Sequence, residues 1–415
     1  MATQYLTIAL LHHNILNMDT HISVENASLL SHLECPECGT LHDASVINTV
    51  CINPDCKSTL FARYDLNKGL DKAILTGRPA NMWRYREMLP VINTKNIVTL
   101  GEGFTPIIPI ENLKGAAPDN QVYWKDESGN PTGSFKARGI SAAVSKAKEL
   151  GIDTMAIPTA GNAGGALAAY AARAGIRAIV YMPVLTPKIF KDECLLYGAQ
   201  LVEIDGSISD CGRLVNEDSL LNGWFQLSTL KEPYRLEGKK TMGYEIAEQF
   251  NWQLPDVILY PTGGGTGLIG IWKAFDEMEQ LGWIDSKRPK MVAIQSASCD
   301  GIVKAFNAGE AVSTFVDGGF TIANGLRVPK PYADKQILKV LYESKGSALS
   351  ITDAEMHSAV KELARNEGML IAPEGAALWE GFKQLKGTAW IKPGETVLLI
   401  NTGSGYKYLE NIMVG

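Results

Sequence analysis

Lys136 stands in the run Asp126-Glu127-Ser128-Gly129-Asn130-Pro131-Thr132-Gly133-Ser134-Phe135-Lys136-Ala137-Arg138-Gly139. It follows a turn rich in Gly, Pro and Ser and opens an Ala-rich helical stretch at 140–150. A helix start favours anions, so a lysine there is electrostatically misplaced. The placement makes sense if the amine forms an imine with a phosphate-bearing aldehyde. The bland alternative is a solvated lysine at the head of a helix.

Three further clusters put small residues and hydroxyls where a ligand can reach backbone. Thr159-Ala160-Gly161-Asn162-Ala163-Gly164-Gly165 follows a strand-like run and precedes a helical one. Its small side chains bare the backbone, and the helix start attracts a carboxylate or phosphate; an ordinary strand-to-helix turn looks the same. Thr262-Gly263-Gly264-Gly265-Thr266-Gly267 ends another strand-like run. Consecutive glycines are entropically costly, and a nest of N–H donors around a phosphate would explain them better than a tight turn. No Gly-Lys-Ser/Thr follows, so this is not a Walker loop. Glu277 and Glu279 fall in a helical stretch, whereas a dinucleotide site wants an acid at the end of the next strand. Asn401-Thr402-Gly403-Ser404-Gly405 offers hydroxyls at the end of an apolar strand, able to bond a ring nitrogen or merely to cap a turn.

Of seven cysteines, four cluster. Cys35-Pro36-Glu37-Cys38-Gly39 reads as a zinc knuckle, and Cys51 with Cys56 forms a looser partner. Four thiolates in this pattern suit a tetrahedral structural zinc, remote from the chemistry, with His42 as a spare ligand; a degenerate ribbon that folds without metal is the alternative. Cys194, Cys211 and Cys299 are scattered, which fits free thiols in a reducing compartment better than disulfides. Five of six histidines (His12, His13, His21, His32, His42) precede the body of the chain and only His357 lies within it, leaving little for a Ser-His-Asp hydrolase.

The elements that must hold these clusters alternate. Strand-like runs at 155–158, 177–182, 200–204, 224–227, 256–260, 291–295 and 395–401 are separated by helical stretches at 165–174, 188–197, 209–221, 241–250 and 353–367, the last with Thr352 as N-cap. This rhythm predicts parallel sheets covered by helices. A chain of 415 residues exceeds one simple core. A net charge of −6 argues against a nucleic-acid partner. The segment 5–16 is apolar but too short to span a bilayer, and the first cationic side chain is Lys57, so a signal peptide is not expected and a cytoplasmic location is.

Taken together the chain resembles threonine synthases and their relatives among pyridoxal 5'-phosphate (PLP) enzymes of fold type II, the tryptophan-synthase-β-like superfamily. The resemblance is carried by GEGFTPI at 101–107, NPTGSFKARG at 130–139, AGNAGGALAAYAARAG at 160–175, YRLEGKKTMGYEIA at 234–247, TGGGTG at 262–267 and NTGSGYKY at 401–408. It implies an α/β architecture with two doubly wound parallel-sheet domains and PLP in the cleft. A zinc-ribbon-like segment (1–66) would precede a large PLP-binding domain (67–145 with 240–415) and a small mobile one (146–239). A homodimer acting on a small amino-acid substrate, with no membrane partner, is also implied.

The resemblance assigns roles. Lys136 would carry the cofactor and act as acid and base, with Phe135 beside the ring and Asn162 on its hydroxyl. Gly263, Gly264, Gly265, Thr266 and Gly267 would cradle the phosphate, and Thr402, or failing it Ser404, would face the pyridine nitrogen. Thr159, Ala160, Gly161 and Ala163 would receive the substrate carboxylate. Threonine synthase itself makes L-threonine and phosphate from O-phospho-L-homoserine and water. The second phosphate needs cations, for which Arg138, Arg327 and the Lys239-Lys240-Thr241 stretch are candidates. Two departures stand out: Ala137 replaces the usual Asp after the lysine, and Ala160, Ala163 and Gly164 replace hydroxyl residues. With IANGL at 322–326 they lean toward a serine/threonine ammonia-lyase or another β-replacement enzyme. A non-catalytic metabolite-binding paralogue would have little reason to keep the lysine.

Overall fold

The computed structural model describes residues 27–413; the segment 5–16 and His12, His13 and His21 lie outside them. Strands β1 (Leu30–Glu34), β2 (Leu41–His42) and β3 (Phe61–Tyr64) form a small antiparallel sheet in the order β2-β1-β3. The four clustered cysteines sit on the turns between them.

Strands β4 (Ile107–Pro109) and β5 (Gln121–Asp126) pair antiparallel, and the Lys136 turn then leads into α1 (Lys136–Glu149). The chain next winds β6 (Thr154–Pro158), α2 (Asn162–Ala174), β7 (Arg177–Pro183), α3 (Lys188–Leu196), β8 (Gln200–Ile204), α4 (Ile208–Asn222) and β9 (Phe225–Gln226) into a four-stranded parallel sheet, order β8-β7-β6-β9. It continues through α5 (Tyr234–Gln249), β10 (Val257–Pro261), α6 (Thr266–Gln280), β11 (Lys290–Ser296), α7 (Gly301–Asn307), α8 (Asp334–Glu343), β12 (Ser347–Ile351), α9 (Asp353–Glu367), α10 (Pro373–Gly387), β13 (Thr396–Asn401) and α11 (Leu409–Met413). These strands and the earlier pair make a six-stranded sheet, order β12-β11-β10-β13-β5-β4. It is mixed rather than wholly parallel, because β4 joins its edge antiparallel. Its central strands are apolar along their length, as burial on both faces demands: every residue of β10 is buried.

Helix α5 begins at Tyr234, seven residues ahead of the stretch its sequence suggests. Two glycines explain its place between neighbours. A Cβ on Gly238 would lie 2.1 Å from the Arg138 carbonyl oxygen of α1, and one on Gly243 would lie 2.6 Å from Ala274 Cβ of α6. The helix is thus wrapped by protein on every side, and no amphipathic period marks its start. Among the described residues no helix is long and apolar enough to cross a membrane.

Candidate active site

The ends of β6, β10 and β13 converge on one cleft of about 750 Å³, at the carboxyl ends of parallel strands where open α/β sheets bind ligands. Three extended segments are stitched there by backbone hydrogen bonds. Phe135 N–H donates to Thr402 O, Ser404 N–H to Gly133 O, Ala372 N–H to Gly403 O and Gly405 N–H to Leu370 O, each at 3.0 Å. The turn before Lys136 is left-handed at Thr132 (φ 60°) and Gly133 (φ 65°). Lys407 Nζ pins it by donating to Thr132 O at 2.7 Å while pairing with Glu193 of α3.

Lys136 opens onto the cleft, its Nζ 3.9 Å from the Phe135 ring centroid and bonded to no acceptor among the described residues. Burial, with Arg235 nearby, pulls its proton affinity down to about 8, against the pull of Glu374. The amine is therefore held closer to its neutral, nucleophilic form than an ordinary lysine.

The glycine loop faces it. A Cβ on Gly263 would lie 2.1 Å from Gly325 O, and one on Gly264 would lie 2.8 Å from Thr229 Cγ2. Gly265 adopts φ 75°, and its Cβ would meet Ile337 Cδ1 at 2.3 Å. Only glycine fits, and the N–H groups of these three residues meet no backbone acceptor among the described residues. They point instead to an anion at the start of α6. Gly263, Gly264, Gly265 and Thr266 line the cleft. Gly267 does not: the Tyr260 hydroxyl packs where its Cβ would be, at 1.9 Å.

Thr159, Ala160, Gly161, Asn162 and Ala163 line the opposite wall, at the start of α2. Thr159 Oγ accepts from Gly161 N–H at 3.1 Å and so shapes the loop. The missing hydroxyl at position 164 has a steric cause. A Cβ on Gly164 would sit 2.7 Å from Met182 Cε and 3.0 Å from Cys194 Sγ. Thr402 and Arg327 also face the cleft. Ser404 does not; its Oγ caps the turn that follows, accepting from Tyr406 N–H at 3.3 Å.

Two expected anion contacts are corrected. Arg138 is fully buried away from the cleft, with Nε 2.5 Å from Glu127 and Nη1 2.5 Å from Glu245. Lys240 is equally enclosed, 2.6 Å from Glu237 and 2.9 Å from Glu277. Their charges are spent on carboxylates, because unpaired cations are not tolerated so deep. Lys239, one residue earlier on α5, lines the cleft and is 3% exposed, yet has no hydrogen-bond or ion-pair partner among the described residues. Burial pulls its proton affinity well down, and Lys136 and Arg235 pull it further. Arg235 donates from Nε to Glu232 at 2.8 Å, while its Nη2 is buried without an acceptor.

Glu374 has no sequence signal, and Tyr408 appears only as the last residue of the 401–408 motif, with no role of its own. Glu374 follows Pro373 at the head of α10 and reads there as an ordinary first-turn acid. With Asn162 Oδ1, Tyr260 Oη and Asn324 Nδ2, Glu374 Oε2 is a cleft-lining residue's buried polar atom that lacks a partner. Buried polar groups are rarely left so. These orphans, the lysine and the glycine nest fit a ligand with an aldehyde, a ring bearing polar substituents and a phosphate, which is what PLP presents.

The Sγ atoms of Cys35, Cys38, Cys51 and Cys56 lie within 4.8 Å of one another, Cys35 to Cys56 at 3.5 Å and Cys38 to Cys51 at 3.6 Å. A tetrahedron with Zn–S of 2.3 Å spaces its sulfurs about 3.8 Å apart. The module is not remote from the cleft as expected: Tyr332, which lines it, donates its hydroxyl to Lys57 O beside Cys56.

A family model described as pyridoxal-phosphate dependent enzyme matches residues 98–403. Threonine synthase from Methanocaldococcus jannaschii is 36% identical over 377 residues, 90% of this chain and 92% of that protein. Threonine synthase from Methanosarcina acetivorans is also 36% identical, over 90% of this chain and 91% of its own length. Among solved structures, diaminopropionate ammonia lyase from Escherichia coli superposes with a TM-score of 0.66 at 18% identity, covering 77% of this chain and 91% of its own. O-ureido-L-serine synthase gives 0.63 at 22%, covering 75% and 92%. These two likenesses concern the fold.

Proposed function

Because the chain belongs to the pyridoxal-phosphate-dependent enzymes and, among them, to the threonine-synthase family, we propose that it converts O-phospho-L-homoserine and water to L-threonine and phosphate. One observation carries the choice of substrate. Lys239, with no acceptor among the described residues, and Arg235 Nη2, the free arm of a guanidinium paired with Glu232, are donors left open in the cleft that holds Lys136.

PLP, when bound, spreads the negative charge that develops at the substrate Cα. The chain's own residues do the rest. Lys136 carries the cofactor and moves protons at Cα, Cβ and Cγ. The N–H groups from Gly263 to Thr266 would hold the cofactor phosphate at the head of α6. Phe135 would lie beside the ring, Asn162 Oδ1 would accept from its hydroxyl, and Thr402 would face the pyridine nitrogen. Residues Thr159 to Ala163 receive the substrate carboxylate at the head of α2. Lys239 and Arg235 take the departing phosphate, with Arg327 and Thr229 in the same wall. Thr229 would offer its hydroxyl beside Gly264 rather than at the wall where Ala160, Ala163 and Gly164 have none. We further propose that Cys35, Cys38, Cys51 and Cys56 bind one structural zinc, a reading supported by the spacing of their four sulfurs.

The test is a comparison of products. The purified protein with PLP should release phosphate from O-phosphohomoserine and form threonine. If it releases none, yet makes 2-oxo acid from serine or threonine, it is an ammonia-lyase.

A further inference from the structure

Glu374 is a buried acid with no part in the reaction as described so far. It is 5% exposed and lines the cleft at the head of α10. Its Oε1 is clamped from two sides, accepting from Gly325 N–H at 2.7 Å and from the Tyr408 hydroxyl at 3.0 Å. Tyr408 is itself bonded by Asn162 Nδ2 at 3.3 Å. The second oxygen, Oε2, is shielded from solvent and has no partner. Residues 370–372 and 133–135 are hydrogen-bonded to the extended segment 402–405, which brings Glu374 and Lys136, just beyond them, to the same cleft. Each changes the other's proton affinity. Burial also raises the Glu374 carboxyl above its usual range, toward the pH at which a carboxylate can both accept and release a proton.

The proposed reaction needs such a group. Before phosphate leaves Cγ, one proton must come off Cα and one off Cβ. A lysine amine holds one of them. We propose that Glu374 is the second proton store of this active site, accepting through Lys136 the proton lifted from Cα while Lys136 goes on to take the one from Cβ. The inference rests on the threonine-synthase reading. The balance closes. The C–O bond at Cγ breaks with its electron pair going to phosphate, and Lys136 returns the Cβ proton to Cγ. Water then adds its hydroxyl to Cβ and its proton goes to phosphate, and the proton held on Glu374 returns through Lys136 to Cα. Glu374 acts here through Lys136 and is a positioning residue for the proton, not a substrate contact.

The test separates one-proton from two-proton chemistry in the PLP-loaded Glu374→Gln enzyme. Gln keeps an oxygen for Gly325 and Tyr408 but cannot store a proton. Exchange of the L-threonine Cα hydrogen in D2O, followed by NMR, needs only Lys136 and should stay within a few-fold of wild type. Phosphate release from O-phosphohomoserine should fall on the order of 100-fold, the usual share of an acid/base group. Glu374→Asp, which retains a carboxyl, should recover part of the loss. A merely structural role would lower both rates together, and that result, or an unchanged phosphate release, overturns the inference. A wild type that exchanges the Cα hydrogen but releases no phosphate overturns the reading beneath it instead.

Discussion

Replacing Lys239 by glutamine removes a charge and keeps a polar side chain of similar reach. In the free protein that charge is badly placed. Glu232, the nearest acid acting on it, is committed to Arg235 Nε at 2.8 Å and to the Tyr234 and Arg235 N–H groups. Its favourable contact among the described residues is the Phe135 ring, 4.9 Å from Nζ, a cation–π interaction of about 0.5–2 kcal/mol. A phosphate dianion would restore a full partner, and a charge-assisted hydrogen bond is worth about 1.5–3 kcal/mol. Lys239→Gln should therefore lower kcat/KM for O-phosphohomoserine roughly 10- to 100-fold, with PLP affinity unchanged. Stability should move the other way. The folded protein binds the Lys239 proton less tightly than the unfolded chain does. The resulting penalty is complete at pH values below the depressed folded pKa and vanishes above the unfolded lysine value near 10.4. At neutral pH the variant should melt higher than wild type, and the gap should close at high pH. Inorganic phosphate should raise the Tm of wild type more than that of the variant. A variant with kcat/KM within twofold of wild type, or one that melts lower at neutral pH, would refute the assignment.

Lys136→Ala should lose the borohydride-reducible cofactor linkage and nearly all turnover; a reducible linkage surviving at another lysine would misplace the site. Because the neutral amine is the nucleophile and Lys136 is held at about 8, cofactor uptake by cofactor-free protein should quicken about tenfold from pH 6 to 7 and level off above 8, as followed by its absorbance. Gly264→Val should weaken PLP binding, since its Cβ would stand 2.8 Å from Thr229 Cγ2, and unchanged affinity in folded protein would count against the nest. Metal analysis should find about one zinc per chain, and chelation should loosen the cysteine module and, through Tyr332 on Lys57, raise KM while sparing the cofactor band. Protein made with ample zinc but holding none would end that reading.

Local signals reached far into this fold. The strand Gln200–Ile204 and the helix Asp353–Glu367, with Thr352 in a capping box with Glu355, stand where alternation and capping place them. The lysine turn and the glycine loop were legible because glycine and proline punctuate backbone directly. What failed was orientation on helices. Lys239 and Lys240 are neighbours in sequence but about 100° apart around α5, so one faces the cleft and the other two buried acids. Arg138, two residues beyond Lys136, turns about 200° away and meets Glu127 and Glu245. Glu245 lies 107 residues downstream, and no local pattern announces so distant a partner. Glu374 was missed for the same reason: its donors come from Gly325 and Tyr408.

The pairing of these cations bears on substrate. Lys125, Arg138, Lys240 and Lys273 each face carboxylates within 3.0 Å. The protein thus neutralises deep positive charge wherever it serves structure, as desolvation requires. Lys239 departs from that rule, and Arg235, though paired with Glu232, leaves Nη2 without an acceptor. Serine and threonine bring one carboxylate, for which the head of α2 is the proposed site. Bound as such, they would leave Lys239 and Arg235 Nη2 without an acceptor beside Lys136, with only Glu232 and Glu374 acting against the repulsion. O-phosphohomoserine brings a second, doubly charged group on a side chain long enough to separate it from the first. A buried lysine without an anion destabilises the folded enzyme, whether it stays charged or gives up its proton, and a dianionic ligand would offset that cost. The same logic makes the departing phosphate a better leaving group, since the charge it gains on leaving is met by donors already in place.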